Sequence, residues 1–198
     1  MCKKYLNIYH FIDEFKESDL INLNPKISLI FRNYHKKTNI ELIKQIKSFC
    51  KKTRRKFYLS NEIKTAYKLN LDGVYIPSFN KTFKHINFIK RRNFKIIGSA
   101  HNVHEIRIKE KQNCDLIFLS PIFKIKKNKK PLGIIRFRNL KNFTKKKVIA
   151  LGGVNKKNLK LLKNSGAVGF ASISHIKKRP GDKSLGRFIN LNYFSKLE

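Results

Sequence analysis

The sequence lacks the features of several protein classes. No apolar run approaches the ~20 residues of a membrane-spanning helix, and the start of the chain soon reaches Asp13 and Glu14 instead of the apolar segment of a signal peptide. The three cysteines, Cys2, Cys50 and Cys114, have no metal-ligand spacing and are odd in number, which suits free thiols in a reducing compartment. We therefore expect a cytoplasmic protein without a disulfide framework or a zinc site.

Several catalytic signatures and organising features are also missing. The sequence contains no P-loop, no G-x-S-x-G motif and no paired-cysteine zinc signature. No glycine- or serine-rich linker divides the chain, and there is no tandem repeat of solenoid length. We therefore expect a single domain over residues 1–198.

Acidic residues are scarce. Twelve Asp and Glu stand against 46 Lys and Arg, which gives a formal net charge of +34. Such a field attracts polyanions, so non-specific nucleic-acid binding is one interpretation. The basic residues are dispersed from Lys3 to Lys196, however, with no single basic arm and no RNA-binding signature. We favour charges spread over helix surfaces, a field from which a diphosphate substrate would also benefit.

Apolar residues are plentiful and follow a repeating order. Hydrophobic residues make up 41% of the chain and phenylalanine contributes sixteen, enough for a sizeable core. Short strand-like runs alternate with helical patterns. The predicted strands are Tyr5–Ile12, Ile27–Arg32, Lys56–Ser60, Gly73–Pro77, Lys95–Ser99, Asp115–Ser120, Lys147–Leu151 and Val168–Ile173. The predicted helices are Asn39–Lys51, Asn61–Leu69, Thr82–Arg91, Val103–Lys111, Ile134–Phe143 and Lys156–Lys163.

Eight strands that alternate with helices predict an α/β fold, a TIM (β/α)8 barrel. The segment Glu14–Ile21 is only weakly helical and ends near Asn24-Pro25, so the first β/α unit is expected to be abbreviated. The chain is also shorter than the ~250 residues typical of such barrels, which predicts trimmed helices or loops. Asp72 and Asp115 stand at the starts of the fourth and sixth predicted strands, and we interpret them as turn residues at the end of the barrel away from the active site.

The strongest local signal for function is glycine-rich. Gly152 and Gly153 follow the seventh predicted strand, and glycine lets backbone N–H groups approach a ligand that a Cβ would hold away. Ile173 and Ser174 follow the eighth strand and offer further N–H groups and a hydroxyl. In (β/α)8 barrels the loops after strands 7 and 8 commonly bind phosphate. This pair of loops therefore predicts a phosphate site.

Five motifs occur in the order and near the spacing of one known family. They are Asn70–Ile76, Ile96–Asn102, Cys114–Phe123, Ala150–Val154 and Gly166–Ser174. Together they make the chain resemble the thiamine-phosphate synthase and thiazole tautomerase (TenI-like) family over roughly residues 27–176.

The resemblance implies a TIM-barrel transferase of thiamine biosynthesis. Such an enzyme joins a hydroxymethylpyrimidine diphosphate to a thiazole phosphate and releases pyrophosphate. Carried over by position, the thiazole phosphate would lie at Gly152, Gly153, Ile173 and Ser174. Arg32 matches the family arginine that would contact the pyrophosphate, a role that suits its bidentate donor fork.

Further site residues follow from the same resemblance. Ser99 and His101 occupy the family's S-x-H motif, and a histidine can transfer protons near neutral pH. A basic residue is expected in the loop after the sixth strand, where Lys126 and Lys127 are the leading candidates and Lys129 and Lys130 compete with them.

The departures from the family pattern weaken the expectation of Mg²⁺. Both acidic positions that would hold the ion are asparagine, Asn61 and Asn80, although these amides stay candidates for metal or, in the case of Asn61, pyrophosphate binding. Pro121 stands where the tautomerase branch has its histidine. Two alternatives to a synthase therefore stay open: a paralogue that is tautomerase-like or binds a phosphorylated metabolite, and a basic protein associated with nucleic acid.

Overall fold

Eight parallel strands close into a barrel in the order of the sequence, as the alternating pattern predicted. The computed structural model of the chain describes residues 7–34, 39–86, 91–125, 130–155 and 157–172. Each strand pairs with its successor, and the eighth pairs with the first. The strands are β1 Asn7–Ile12, β2 Ile27–Phe31, β3 Phe57–Ser60, β4 Gly73–Ile76, β5 Lys95–Ala100, β6 Leu116–Leu119, β7 Lys147–Leu151 and β8 Gly169–Ser172.

Helical segments connect most of the strands. They are α1 Glu17–Leu20, α2 Ile40–Lys52, α3 Ile63–Lys68, α4 Val103–Lys111, α5 Gly133–Asn142 and a 3₁₀ helix, Leu159–Ser165. The four residues of α1 confirm the expected abbreviated first unit. None of the helices in the described ranges is both long and apolar enough to cross a membrane.

Side chains alternate between the inside and the outside of the barrel, as the period of two in a strand requires. The inner set is rich in aromatic rings, and the edge of Phe11 meets Tyr75 at 5.0 Å between ring centroids. The outer set packs against the helices. The residues of the inner cluster are Tyr9, Phe11, Ile30, Tyr58, Tyr75, Ile97, Phe118, Ile149, Leu151 and Ala171.

A buried arginine secures the short first β/α unit. Arg55 lies in a run of basic residues between α2 and β3, yet its side chain is buried. Its guanidinium donates to the backbone carbonyls of Leu20, Leu23 and Asn24. One guanidinium thus ties together carbonyls at the end of α1 and just after it, where helix carbonyls lack intrahelical partners.

Two predicted helices differ in the structure. In the described part of the helix predicted at Thr82–Arg91, residues 84–86 form a turn, and the side-chain amide of Gln112, which follows α4, binds the backbone carbonyls of Asn80 and Thr82 just before this turn. The predicted helix Lys156–Lys163 is the 3₁₀ helix, whose buried residues Leu159, Leu162 and Ser165 are spaced by three. A spacing of three matches the 3.0 residues per turn of a 3₁₀ helix.

Two aspartate carboxylates link neighbouring strands at the end of the barrel where the strands begin. Asp72 accepts a hydrogen bond from the backbone N–H of Phe57 at 2.9 Å, and Asp115 accepts one from the N–H of Ile96 at 2.7 Å. Each aspartate therefore ties the start of one strand to the residue before the next strand, as expected of structural turn residues. Cys50 and Cys114 are buried thiols.

Candidate active site

The candidate site lies at the carboxyl ends of the strands. Side chains alternate along each strand, and those of Phe11, Ile30 and Ile97 point into the barrel. The residues two positions further along therefore face the mouth of the barrel. The predicted residues Arg32 and Ser99 lie at such positions, and Gly153 does so at the end of β7. The fold therefore gathers at one opening residues that are more than a hundred positions apart in the sequence.

His101 is held from three directions. Its Nδ1 lies 2.6 Å from the carbonyl oxygen of Ser120 and its Nε2 lies 3.2 Å from Oγ of Ser78. Because a carbonyl only accepts, Nδ1 carries the proton of the neutral ring and Nε2 accepts from Ser78. The backbone N–H of His101 donates to Glu105 at 2.7 Å. The imidazole is therefore fixed in both orientation and tautomer.

Ser99 has other side-chain partners than His101, although both belong to the S-x-H motif. Its side chain is buried, and its hydroxyl hydrogen-bonds the phenol of Tyr75 inside the barrel. Burial nevertheless raises the pKa of Tyr75, so the phenol keeps its proton over the physiological range. The neighbours of His101 are instead Ser78 and Ser120, from the loops after β4 and β6.

Arg32 lies at the end of β2 on an aromatic floor. Its guanidinium carbon is 5.1 Å from the centroid of the Phe11 ring, a cation–π arrangement. Two residues on, the hydroxyl of Tyr34 is 2.8 Å from Oγ of Ser60, and the Tyr34 ring meets Phe79 edge-on at 5.4 Å. The half of the mouth between β2 and β4 therefore combines one cation with two partly exposed aromatic rings.

Asn61 and Asn80 are brought together, although they are nineteen positions apart. Nδ2 of Asn80 donates to Oδ1 of Asn61 at 2.6 Å. Oδ1 of Asn80 accepts from the N–H and the hydroxyl of Thr82 at 2.9 and 3.0 Å. Both amide oxygens are therefore already occupied by donors of the protein.

This arrangement does not fit Mg²⁺. The ion prefers an octahedral shell of oxygen atoms that includes carboxylates, and neither asparagine brings a charge or an uncommitted oxygen. In the described ranges of the chain no three His, Cys, Asp or Glu side chains converge in a metal-binding arrangement.

The glycines after β7 form a cradle that only glycine can make. Gly152 and Gly153 have positive φ angles of +92° and +72°. A Cβ on Gly152 would lie 2.9 Å from Cβ of Pro121, and one on Gly153 would lie 2.6 Å from the carbonyl oxygen of Lys124. Neither glycine N–H donates a hydrogen bond to another residue within the described ranges. These groups are therefore available to an anion.

Hydrogen bonds from neighbouring residues hold the backbone of the cradle in place. The carbonyl oxygen of Gly153 accepts hydrogen bonds from the side-chain amides of Asn158 at 2.8 Å and Asn155 at 3.2 Å. Residues of the β6 loop bind the other side, where the N–H of Phe123 donates to the carbonyl of Gly152 at 3.1 Å. The predicted phosphate ligands Ile173 and Ser174 and the predicted loop lysines Lys126 and Lys127 lie outside the described residues.

Some residues of the site escaped the sequence reasoning. The sequence analysis assigned no role to Ser78, Phe79 or Lys109. Position in the sequence could have identified two of them, since Ser78 and Phe79 follow β4 at the same end of the barrel as His101. No local pattern identified Lys109, because its partners lie in another loop.

Comparison with known proteins gives one consistent answer. The sequence model of the family described as thiamine monophosphate synthase matches residues 21–176. A thiamine-phosphate synthase of Prochlorococcus marinus subsp. pastoris is 31% identical over 160 residues, 78% of this chain and 45% of that protein. A second, from P. marinus AS9601, is 34% identical over 141 residues, 67% of this chain and 38% of that protein. The chain thus spans less than half the length of these two relatives.

Solved structures show the same fold. A thiamine phosphate pyrophosphorylase from Pyrococcus furiosus superposes with a TM-score of 0.79 at 18% identity, covering 97% of this chain and 96% of that one. One from Bacteroides thetaiotaomicron superposes with a TM-score of 0.67 at 20% identity, covering 98% and 99%. At these identities the likeness establishes the barrel architecture.

Proposed function

Because the chain belongs to the thiamine monophosphate synthase family, we propose that it acts in thiamine biosynthesis as a thiamine-phosphate synthase. Its substrates would be a thiazole phosphate and a hydroxymethylpyrimidine diphosphate. The reaction joins the two rings and breaks the bond between the pyrimidine methylene and the diphosphate, so that pyrophosphate leaves. Binding and charge stabilisation dominate such chemistry, because the protein forms no covalent bond to either substrate.

The glycine cradle is the observation that carries this proposal. Gly152 and Gly153 offer backbone N–H groups with no competing acceptor in the described ranges, at the loop where barrels of this kind bind phosphate. The thiazole phosphate belongs at this position, and Ser174 would add a hydroxyl. Backbone N–H donors do not titrate, so the protein side of this contact keeps its donors at every pH.

The diphosphate belongs at the opposite side of the mouth. Arg32 is the described cation there, and its fork can bind two oxygens of the leaving pyrophosphate. Lys126 and Lys127, in the loop after β6, would supply further positive charge. His101, fixed with Nε2 as an acceptor, would receive a hydrogen bond through Ser78 or from a substrate donor that replaces Ser78.

The paired asparagines favour a second candidate function. Without carboxylates at positions 61 and 80, the chain would bind a thiazole phosphate or a related phosphorylated metabolite and would not catalyse the transfer. Both candidate functions use the glycine cradle, and they differ only in the half of the mouth assigned to the diphosphate.

An assay with both purified substrates separates the two candidates. The wild-type protein is mixed with thiazole phosphate and pyrimidine diphosphate, with and without Mg²⁺, and thiamine phosphate is measured by chromatography. A synthase makes product that disappears in the Arg32→Met variant. A protein that binds thiazole phosphate by calorimetry but makes no product under any condition is the metabolite-binding paralogue. Absence of both binding and product refutes both candidates.

A further inference from the structure

A buried cation lies directly beneath the loop that follows β4. Lys109 on α4 is fully buried. Its ammonium group donates to the backbone carbonyls of Pro77 and Asn80, each at 2.8 Å, and to Oε1 of Gln112 at 2.9 Å. Each of the three ammonium hydrogens therefore has an acceptor, which offsets much of the cost of burying the charge.

Gln112 extends the same set of contacts. It is fully buried, and its amide donates to the carbonyls of Asn80 at 3.1 Å and Thr82 at 2.8 Å. Its own backbone carbonyl lies 2.9 Å from Nε2 of His85, so the residue is held at both ends. Two side chains thus bind the carbonyls of residues 77, 80 and 82, and we call residues 77–82 the β4 loop.

The barrel leaves space for this lysine. A Cβ on Gly98 of β5 would lie 2.8 Å from Cδ of Lys109 and 2.8 Å from Sγ of Cys114. Any side chain at position 98 would displace the lysine stem, so the lysine and the glycine are matched to one another. A solvated surface lysine needs no such accommodation.

Three consecutive residues of the β4 loop contact the candidate site. Ser78 contacts His101, Phe79 contacts Tyr34, and Asn80 contacts Asn61. These contacts lie in the half of the mouth assigned to the diphosphate. An error in the position of the β4 loop would therefore disturb several groups of that half at once, and would leave the glycine cradle untouched.

We propose that Lys109, assisted by Gln112, is a positioning residue that sets the affinity for the diphosphate by holding the β4 loop in place. The inference rests on the proposed function for the identity of the ligand. Lys109 does not touch the substrate; it acts through the loop and adds a positive charge beneath a site that has lost its acidic residues.

The first test is a split between the two substrates. In Lys109→Met the carbonyls of Pro77 and Asn80 lose the ammonium group that links them, although each keeps one other donor, and we expect the KM for the pyrimidine diphosphate to rise about tenfold or more. The KM for the thiazole phosphate should change less than about twofold, because its cradle is remote from the β4 loop. Lys111→Met, which removes an exposed cation from the same helix, should change neither value. Equal changes in both KM values, or no change, would overturn the proposal.

The second test needs no substrate. Backbone amides of the β4 loop donate inside it: the N–H of Asn80 bonds the carbonyl of Pro77 and that of Thr82 bonds Oδ1 of Asn80. Hydrogen exchange at these amides should accelerate in Lys109→Met and not in Lys111→Met, whereas strand amides stay protected. Unchanged exchange refutes the loop-holding role even if the protein is an active synthase.

A third measurement covers an inactive wild type or an unfolded Lys109→Met. Gln112→Glu keeps an acceptor for Lys109 and removes the donors to Asn80 and Thr82. Calorimetry with inorganic pyrophosphate should show weaker binding by Gln112→Glu than by wild type or Lys111→Met. Failure of wild type to bind pyrophosphate, or equal binding by all variants, contradicts the inference, while product formation judges the proposed function separately.

Discussion

The side-chain amide of Asn80 donates a 2.6 Å hydrogen bond to the side-chain carbonyl of Asn61, across the ends of β3 and β4. Thr82 fixes the orientation of the pair, because its backbone N–H donates to Oδ1 of Asn80. A neutral, mutually satisfied pair thus stands at the two positions where the family resemblance implied carboxylates for Mg²⁺.

Replacing both asparagines by aspartate should create a metal site. Two carboxylates at this separation repel one another until a cation intervenes. Asn61 has a positive φ of +64°, a conformation that aspartate also tolerates, so the backbone should persist. We expect Mg²⁺ to raise the melting temperature of Asn61→Asp/Asn80→Asp by several degrees and that of wild type by about one degree or less. Equal stabilisation of both proteins would show that the wild-type site already binds the ion.

Alanine at Gly153 should abolish binding at the cradle. The added Cβ would meet backbone atoms of Phe123 and Lys124 at 2.6–2.7 Å, in a backbone region that alanine disfavours. We expect the affinity for thiazole phosphate, measured by calorimetry, to fall at least about tenfold, or about 1.4 kcal/mol.

Gly133→Ala is the matched control for that change. Gly133 also has a positive φ, of +67°, but an added Cβ there would have no heavy atom within 4 Å. It therefore reports the cost of backbone strain alone, and its affinity for thiazole phosphate should match wild type. A comparable loss in both variants would refute the cradle assignment.

Removal of the Arg55 guanidinium should destabilise the fold. In Arg55→Met the carbonyls of Leu20, Leu23 and Asn24 lose the guanidinium that joins them, although Leu20 and Asn24 keep backbone donors in the N–H groups of Leu23 and Ile27. We expect the free energy of unfolding to fall by about 2–4 kcal/mol in urea denaturation. Lys56→Met, an exposed cation at the next position, should change it by about 0.5 kcal/mol or less. A similar small effect of both substitutions would contradict the structural role of Arg55.

Lys109 should give the stability of the protein an alkaline dependence. Burial lowers its pKa from 10.5 to about 8, although the nearby Cys114 and Glu105 act in the opposite direction. Between these values the unfolded chain binds more protons than the folded chain, so the contribution of Lys109 to the unfolding free energy rises with pH. Relative to Lys109→Met, wild type should therefore gain stability from about pH 7.5 to about pH 9.5 in urea denaturation.

Two further expectations serve as controls for this pH experiment. Lys111→Met should give the same dependence of stability on pH as wild type, because Lys111 is exposed and the substitution leaves Lys109 in place. Burial raises the pKa of the barrel tyrosines Tyr9, Tyr58 and Tyr75, which lowers stability only once tyrosine in the unfolded chain ionises near pH 10. Parallel pH curves for wild type and Lys109→Met would contradict the assigned protonation behaviour.

The sequence by itself determined the barrel and the position of the glycine cradle after β7. Strand and helix periodicities are encoded by neighbouring residues, so the order of elements, the short first unit and the glycines after β7 could all be predicted. The helix predicted at residues 82–91 failed over its described part, residues 82–86, because its local pattern competes with side chains that arrive from α4 and Gln112.

Only the tertiary structure decided which polar groups meet. Ser78 reaches His101, Asn80 reaches Asn61, and Lys109 reaches Pro77, because barrel closure and strand register place distant loops side by side. The sequence contains no local sign that Arg55 and Lys109 are buried, since a cation enters a protein interior only where backbone carbonyls from elsewhere in the chain solvate it. Periodicity depends on adjacent residues, whereas solvation of a buried charge depends on the completed fold.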